Sequence, residues 1–165
     1  MQNPSTTKLT TNRIKYLHEQ FELAGEVAAT LQFSSEYASN FFGTDKCVST
    51  EQISDEQLMW LEATALRFAR LSNTLIRRVF RAIDAIELVD EGSLLDRFSR
   101  MEKRDLLQEA EWRQITELRN QVVSEYVIED LSMLYVEILA KCPVLLGVMS
   151  KLEEYIRQPR FALDG

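Results

Sequence analysis

Apolar residues recur at alternating spacings of three and four along two long stretches of the chain. The first stretch begins near Asn12 and ends at Gly43, and the second follows Ser54 and continues to about Leu88. This spacing is typical of a helix with one face in a core, so each stretch predicts a long bundle helix. The first series comprises Ile14, Leu17, Phe21, Ala24, Ala28, Leu31, Ser35, Ala38 and Phe42, and the second comprises Leu58, Leu61, Ala65, Phe68, Ser72, Leu75, Val79, Ala82 and Ile86.

A second apolar series widens the apolar face of the first helix. We therefore expect this helix to be covered on more than one side. Gly43 is placed to end the first helix. Ser54 and Gln57 predict a capping box at the start of the second helix, since a hydroxyl is followed three positions later by an amide. The widening residues are Leu23, Val27, Phe33, Tyr37 and Phe41.

The C-terminal half predicts shorter elements. A short helix covers Leu94 to Met101, a polar connection covers Glu102 to Asp105, and a fourth helix runs from about Leu106 or Glu109 through Tyr126. Asp130 is placed to cap a fifth helix, which Pro143 should bend or break. Apolar positions of these two helices are Trp112, Ile115, Leu118, Val122, Leu131, Leu134, Ile138, Leu145, Val148, Leu152 and Ile156.

Four or five helices with short links pack most simply as an all-α up-down bundle. The 165 residues fit one domain, 1–165. We expect loose tails at 1–8 and 158–165. Only 5 glycines and 3 prolines occur, which argues against an all-β sandwich.

The composition argues against several classes of protein and of site. No apolar run approaches the ~20 residues of a membrane span, and the polar N-terminus lacks the apolar segment of a signal peptide, so we expect a cytoplasmic protein that does not bind membranes. The chain has 2 cysteines, Cys47 and Cys142, and 1 histidine, His18. They are too scattered for a zinc site. Phosphate-loop, dinucleotide and hydrolase motifs are missing from the sequence, and we expect no metal and no cofactor.

The formal net charge of −7 conceals one concentration of positive charge. Five arginines of the second predicted helix project within an arc of roughly 100° and extend over about four turns. This arginine row suits phosphate, from RNA or a nucleotide, or an acidic partner. The residues alone slightly favour the other interpretation, a solvated face whose arginines pair with Glu and Asp of adjacent helices or of a partner and whose stems cover apolar surface. The row consists of Arg67, Arg70, Arg77, Arg78 and Arg81.

The stretch ELRNQVVSEYVIED, residues 117–130, is unusually polar for a core helix. On a helix, Arg119 and Tyr126 point in almost the same direction, and Asn120 stacks on Ser124. Arg119 could pair with Glu117, Glu125 or a neighbouring helix, and a buried Tyr126 could bond through its hydroxyl. The residues alone favour a structural polar network over an active site.

Residues 119–126 resemble the motif of the HEPN domain superfamily, in particular HepT-type toxins and the substrate-binding partners of minimal nucleotidyltransferases. That motif is an arginine, often followed by asparagine, then four to six residues, a histidine, any residue and a tyrosine. The preceding LLDRFSRMEKRDLLQEAEWRQITELRN is similar to the family's short helix, connection and tryptophan seven residues before the arginine. The likeness covers roughly residues 58–156.

The resemblance implies a helical bundle that dimerises through its motif helices, and, in active members, metal-independent RNA cleavage at the dimer interface. Arg119 would bind phosphate and stabilise the transition state, and Asn120 would orient either Arg119 or the scissile phosphate. Tyr126 would be a candidate for modification by a partner nucleotidyltransferase.

Ser124 stands where the family has histidine. A serine hydroxyl without a nearby base does not exchange protons near neutral pH as imidazole does, and general acid–base catalysis is worth roughly 10²–10⁴-fold. We therefore expect a degenerate ribonuclease motif in a protein that acts by binding. The alternatives are an active HepT-type endoribonuclease toxin and a structural bundle with no catalytic role.

Overall fold

The computed structural model describes residues 4–43, 50–124 and 131–163. Within these ranges the chain contains helices and no strand, so the predicted all-α bundle is confirmed. Cys47, Glu125, Tyr126 and Asp130 lie outside the described residues. The helices are α1 (Pro4–Ser39), α2 (Asp55–Thr74), a π-helical turn (Leu75–Val79), α3 (Phe80–Ile86), α4 (Leu94–Lys103), α5 (Glu109–Val123) and α6 (Leu131–Ile156).

Helix α1 runs antiparallel to the continuous rod made by α2, the π turn and α3. Three hydrogen bonds establish this: Arg67 donates to the carbonyl of Thr30, Arg78 to the side chain of Gln20, and Arg13 to the carbonyl of Ala85. As the residue number rises in the second rod, it falls in α1. Helices α5 and α6 pack against this pair and complete the bundle.

The core follows the predicted series closely. Of the two series, only Phe21, Leu58 and Ile86 are half-buried, and every other member is buried. The widening series differs, because Val27 alone is buried and Phe41 is half-buried. Helix α1 is covered by both the α2–α3 rod and α6, as expected, but not through the widening series. The other three members of that series are exposed: Leu23, Phe33 and Tyr37.

The capping box at the start of α2 is confirmed. The Ser54 hydroxyl accepts from the backbone N–H of Gln57, and the Gln57 side chain accepts from the Ser54 N–H. A second box, which the sequence analysis missed, starts α4 at Ser93 and Asp96. Both boxes satisfy N–H groups that have no partner inside the helix.

The π turn at Leu75–Val79 interrupts the α-helical ladder without ending the rod. A turn with i→i+5 bonds holds one more residue than an α-turn. The residues that follow are therefore rotated relative to an uninterrupted helix, and the core face widens to include Ile76, Phe80, Ile83 and Asp84. The regular three-four spacing did not predict these four.

Helix boundaries differ from expectation at both ends of the chain. Helix α1 begins at Pro4 rather than near Asn12, so residues 4–8 are not a loose tail. The C-terminal segment also packs against the bundle, because a 3₁₀ turn at Pro159–Phe161 buries the Phe161 side chain completely. The carbonyl oxygen of Phe161 lies 2.8 Å from Nε2 of His18.

Helix α6 continues through Pro143 without a break. It is more apolar than the sequence analysis allowed, and by length and composition it could cross a bilayer. A core helix of a soluble protein passes the same test, and α6 contributes nine buried residues to the bundle, from Leu134 to Ile156.

Candidate functional site

The arginine row lies on the outer side of the α2–α3 rod. Arg70, Arg77, Arg78 and Arg81 are exposed. Arg67 differs, because it is half-buried and its guanidinium lies 6.0 Å from the centre of the Trp60 ring. Four of the five guanidinium groups are thus presented to solvent.

Three members of the row converge with α1 on one cleft. Arg77, Arg78 and Arg81 line a cleft of about 340 Å³ together with Arg13 of α1, and we call these four residues and the space between them the arginine cleft. Asn12, Tyr16, Ala82 and Ala85 complete the described lining, which includes no carboxylate.

Hydrogen bonds position two of the four arginines. Nη1 of Arg13 donates to the carbonyl of Ala85 at 2.9 Å, and Nη1 of Arg78 donates to Oε1 of Gln20 at 3.3 Å. Both partners are neutral, so the positive charge of the cleft is not compensated by them. An arginine held by a neutral oxygen keeps further N–H donors for a ligand.

The row is not paired with carboxylates inside the described chain. The ion pairs there involve other cations, such as Arg113 with Glu109 and Lys141 with Glu111. None joins a member of the row, or Arg13, to Asp or Glu. No ion pair among the described residues therefore supports the alternative, in which carboxylates of adjacent helices neutralise the row.

Arg119, the motif arginine, lies near Arg77 of the row. Its side chain is half-buried near the end of α5, and its Nε is buried with no hydrogen-bond partner among the described residues. Burial and then the nearby Arg77 guanidinium lower the pKa of Arg119. An arginine remains protonated at neutral pH nonetheless, so the structure brings the motif arginine within electrostatic range of the row.

The helix that carries the motif ends earlier than predicted. Helix α5 ends at Val123 rather than at Tyr126, and Ser124 has extended backbone angles, φ −77° and ψ 141°. Ser124 is the C-cap of α5, and Asn120 is exposed. β-branched residues and serine favour helix less than alternatives do, and Val122-Val123-Ser124 supplies three in a row. The position of Tyr126 lies outside the described residues.

No general base lines the cleft among the described residues. Its side chains are arginine, asparagine, tyrosine and alanine. His18 lies elsewhere, against the C-terminal 3₁₀ turn. The described residues also contain no group of three or more His, Cys, Asp or Glu side chains that could hold a metal ion. The arrangement can bind and neutralise an anion, and it offers no imidazole for moving a proton.

Helix α1 contributes residues to the cleft that helical spacing alone does not predict. Arg13 stands directly before the core residue Ile14, and Tyr16 directly before the core residue Leu17. Their positions in the sequence predict that Arg13 and Tyr16 flank the core. That they lie beside Arg77 and Arg81 depends on the packing of α1 against α3, which the sequence does not give.

Comparison with known proteins gives no family. No family model matches the chain, and neither a curated protein nor a solved structure matches it.

Proposed function

We propose that this is a HEPN-like helical protein that acts by binding a phosphate-bearing ligand at the arginine cleft, with a degenerate ribonuclease motif beside it. The observation that carries the proposal is the convergence of Arg13, Arg77, Arg78 and Arg81 on one cleft whose described lining includes no carboxylate.

Guanidinium groups suit phosphate because each presents paired N–H donors in a plane that matches two phosphate oxygens. Four such groups around about 340 Å³ favour an anion with several charges. RNA or a nucleotide provides these charges, and an acidic protein surface is the second candidate. Because the whole chain carries −7, binding of a polyanion must be local and sensitive to salt.

The resemblance supplies the cellular setting of the proposal. It places the protein in a toxin–antitoxin or nucleotidyltransferase-associated module in the cytoplasm, as a homodimer with a minimal nucleotidyltransferase-type partner. The all-α bundle and the closeness of Arg119 to Arg77 support this setting.

Ligand binding is tested by titrating ATP and a short single-stranded RNA into the protein at about 50 and 200 mM salt. We expect binding that weakens at the higher salt and falls at least about tenfold in the double variant Arg77→Ala/Arg81→Ala, since each lost contact to a charged group costs ~1.5–3 kcal/mol. Arg157→Ala is the matched control, because this exposed arginine pairs with Glu153, four residues earlier at the end of α6. Equal affinity in all variants, or no binding, contradicts the proposal.

Cleavage is tested with the same RNA in the presence of EDTA. We expect intact RNA, because Ser124 cannot act as general base and lies beyond the end of α5. Metal-free cleavage that is lost in Arg119→Ala would support the alternative of an active endoribonuclease. Ser124→His tests the motif itself, and a gain of cleavage that again requires Arg119 supports the HEPN assignment.

A further inference from the structure

Tyr16 is the aromatic residue of the arginine cleft, and the bundle leaves much of it uncovered. It directly precedes the core residue Leu17 on α1, but 46% of its surface is exposed. Among the residues that the structure describes, no second aromatic ring and no guanidinium stacks on the Tyr16 ring. The ring can therefore receive a planar group of a ligand that enters the cleft.

Asn12 lies on the same side of α1. It is four residues before Tyr16, and residues at this spacing are neighbours on a helix surface. Asn12 is exposed and lines the cleft. Its amide has both N–H donors and a carbonyl acceptor, and this combination recognises the edge of a nucleobase. Helix α1 thus presents a ring and an amide side by side.

The α2–α3 rod supplies the opposite chemistry. Arg77 and Arg81 are also four residues apart and are neighbours on the surface of the rod. Beside them the rod contributes Ala82 and Ala85, whose single methyl groups occupy little of the cleft. Arg13 of α1 reaches over to this side, because its Nη1 donates to the Ala85 carbonyl at 2.9 Å. The cleft therefore combines a side for a planar polar group with a side for phosphate.

We propose that the ligand of the cleft is a free nucleoside triphosphate, an inference that rests on the proposed function and specifies it. The phosphates contact Arg77, Arg78 and Arg81, and the base stacks on Tyr16 beside Asn12. The cleft volume of about 340 Å³ lies near the lower end of the ~300–1,000 Å³ typical of small-molecule sites. Such a space suits one nucleotide better than a folded RNA or a protein segment.

A nucleotide is the anion that uses both sides of the cleft. Inorganic polyphosphate, or the carboxylates of an acidic protein surface, would satisfy the arginines and leave the Tyr16 ring unused. Stacking on an aromatic ring accepts any base, because each base has a π face, so Tyr16 contributes affinity for the base without selecting it. The guanidinium groups contribute the affinity for phosphate. The two contributions should therefore be separable by mutation.

The base contact is tested by titrating ATP and inorganic tripolyphosphate into the same variants without Mg²⁺. We expect Tyr16→Leu to weaken ATP binding at least about fivefold, since base–aromatic stacking contributes roughly this much or more, and to leave tripolyphosphate binding within about twofold. Tyr16→Phe keeps the ring and should bind ATP as the wild type does. Equal losses for both ligands in Tyr16→Leu, or no loss for ATP, overturn the inference.

The amide and guanidinium contacts are tested with the same two ligands. Asn12→Leu should weaken ATP binding about two- to tenfold, as expected for one lost hydrogen bond, and leave tripolyphosphate binding unchanged. Arg81→Ala is the complementary variant and should weaken the binding of both ligands. Unchanged ATP affinity in Asn12→Leu overturns the placement of the base beside Asn12.

A trinucleotide with a 5′-phosphate distinguishes a free nucleotide from one unit of an RNA chain. Its charge is similar to that of ATP, but its phosphates are spread along the chain. We expect the trinucleotide to bind more weakly than ATP, because the guanidinium groups converge on one cleft. Equal or tighter binding of the trinucleotide overturns the choice of a free nucleotide.

Failure of this inference and failure of the proposed function give different results. If the wild type binds ATP and tripolyphosphate equally, and Arg77→Ala/Arg81→Ala loses both, the base contact is overturned and the phosphate site is supported. If the wild type binds neither ATP, tripolyphosphate nor RNA, both proposals are overturned.

Discussion

Asp84 is fully buried at the end of the α2–α3 rod, where three arginines of the following segment reach it. Its oxygens accept from Arg104 at 2.7 Å, from Arg100 at 2.8 Å and from Arg97 at 3.4 Å. Burial alone would lower the pKa of Arg104, but the hydrogen bonds that it donates to Glu87 and Asp84 outweigh burial and raise that pKa. The carboxylate thus fastens α4 and its C-terminal turn to α3.

Replacing this carboxylate should destabilise the fold strongly. Asp84→Asn takes the carboxylate away from the largely buried guanidinium groups of Arg97 and Arg100, while Arg104 keeps Glu87. Breaking a buried pair costs ~3–5 kcal/mol. We expect a loss of about 3 kcal/mol in the free energy of unfolding, measured by urea denaturation. Glu109→Gln is the control, because its partner Arg113 is about half exposed and such surface pairs contribute ~0–1 kcal/mol. Similar losses in both variants would contradict the structural role of Asp84.

Cys142 is a second buried group with a measurable consequence. Burial raises the pKa of its thiol to about 12, although a hydrogen bond with Ser35 opposes the shift. The thiolate is the reactive form. In a Cys47→Ser background we therefore expect Cys142 to resist a thiol reagent at pH 8 until denaturant unfolds the chain. Rapid modification of the folded protein would show that the thiol is accessible.

The raised pKa of the Cys142 thiol also makes the stability of the fold depend on pH in the alkaline range. The folded state keeps the thiol proton to higher pH than the unfolded state, so this group's contribution to stability is complete below pH 9 and is lost as the pH rises from about 9 toward 12. The stability difference between wild type and Cys142→Ala should therefore shrink above pH 9 in urea denaturation at successive pH values. A constant difference would mean that Cys142 does not titrate in this way.

At the scale of elements, most helices were predictable and several of their ends were not. Three-four spacing reports burial, and burial decides where a core helix exists. It does not report where α1 begins, because the first turns carry few core residues. It also places the end of α5 too late, since Val122 fits the apolar spacing while Val122-Val123-Ser124 disfavours continuation.

Pro143 shows the same limit within α6. Its ring removes one backbone hydrogen bond and disfavours the helix by up to ~3 kcal/mol, yet the helix continues because residues on both sides are buried, including Cys142 and Leu145. The side chain of Pro143 itself is exposed. Burial of neighbouring side chains therefore outweighs the local preference.

Pro143→Ala should stabilise the protein. The substitution restores the missing N–H donor and places a good helix former at an exposed site. It also gives the unfolded chain more conformational freedom, which opposes folding by ~0.4–1 kcal/mol. We expect a net gain of about 1–2 kcal/mol in the free energy of unfolding. Glu154→Ala, at another exposed α6 position, should change it by under ~0.5 kcal/mol. Destabilisation by Pro143→Ala would indicate that α6 packs only when its ladder is interrupted.

At the scale of the whole molecule, the C-terminal segment is part of the core. Phe161 is completely buried, and Arg160 stacks over it and over Tyr155, with the guanidinium 5.1 and 5.2 Å from the ring centres. Tyr155 in turn donates to Glu87 at 2.6 Å. The segment thereby joins α6 to the network around α3.

Phe161→Ala should therefore cost about 3–5 kcal/mol in the free energy of unfolding, as for other large core residues. The matched control is Leu163→Ala, two residues later and exposed, which should change it by under ~0.5 kcal/mol. Thermal unfolding followed by circular dichroism measures both. Equal small effects would mean that the C-terminus does not contribute to the fold in solution.

The candidate site was only partly visible in the sequence, for a reason that belongs to this scale. Helical spacing placed Arg77, Arg78 and Arg81 on one face, because their relation is local. Arg13 and Arg119 are far from them in sequence. Only the packing of α1 against the rod brings Arg13 into the cleft, and only the packing of α5 brings Arg119 near Arg77. Local spacing also carries no information about which carboxylates a surface arginine will meet.

The π turn makes this surface sensitive to chain length as well as to chemistry. Deleting one residue between Leu75 and Val79 should turn the bond from Phe80 N–H to the Leu75 carbonyl into an ordinary α-helical bond and leave the residues downstream near their present angular positions. Adding one residue to a regular helix, by contrast, turns all that follows by about 100°, which would carry Arg81 away from Tyr16 and Asp84 away from its three guanidinium partners. This turn should thus tolerate the loss of a single amino acid far better than the gain of one.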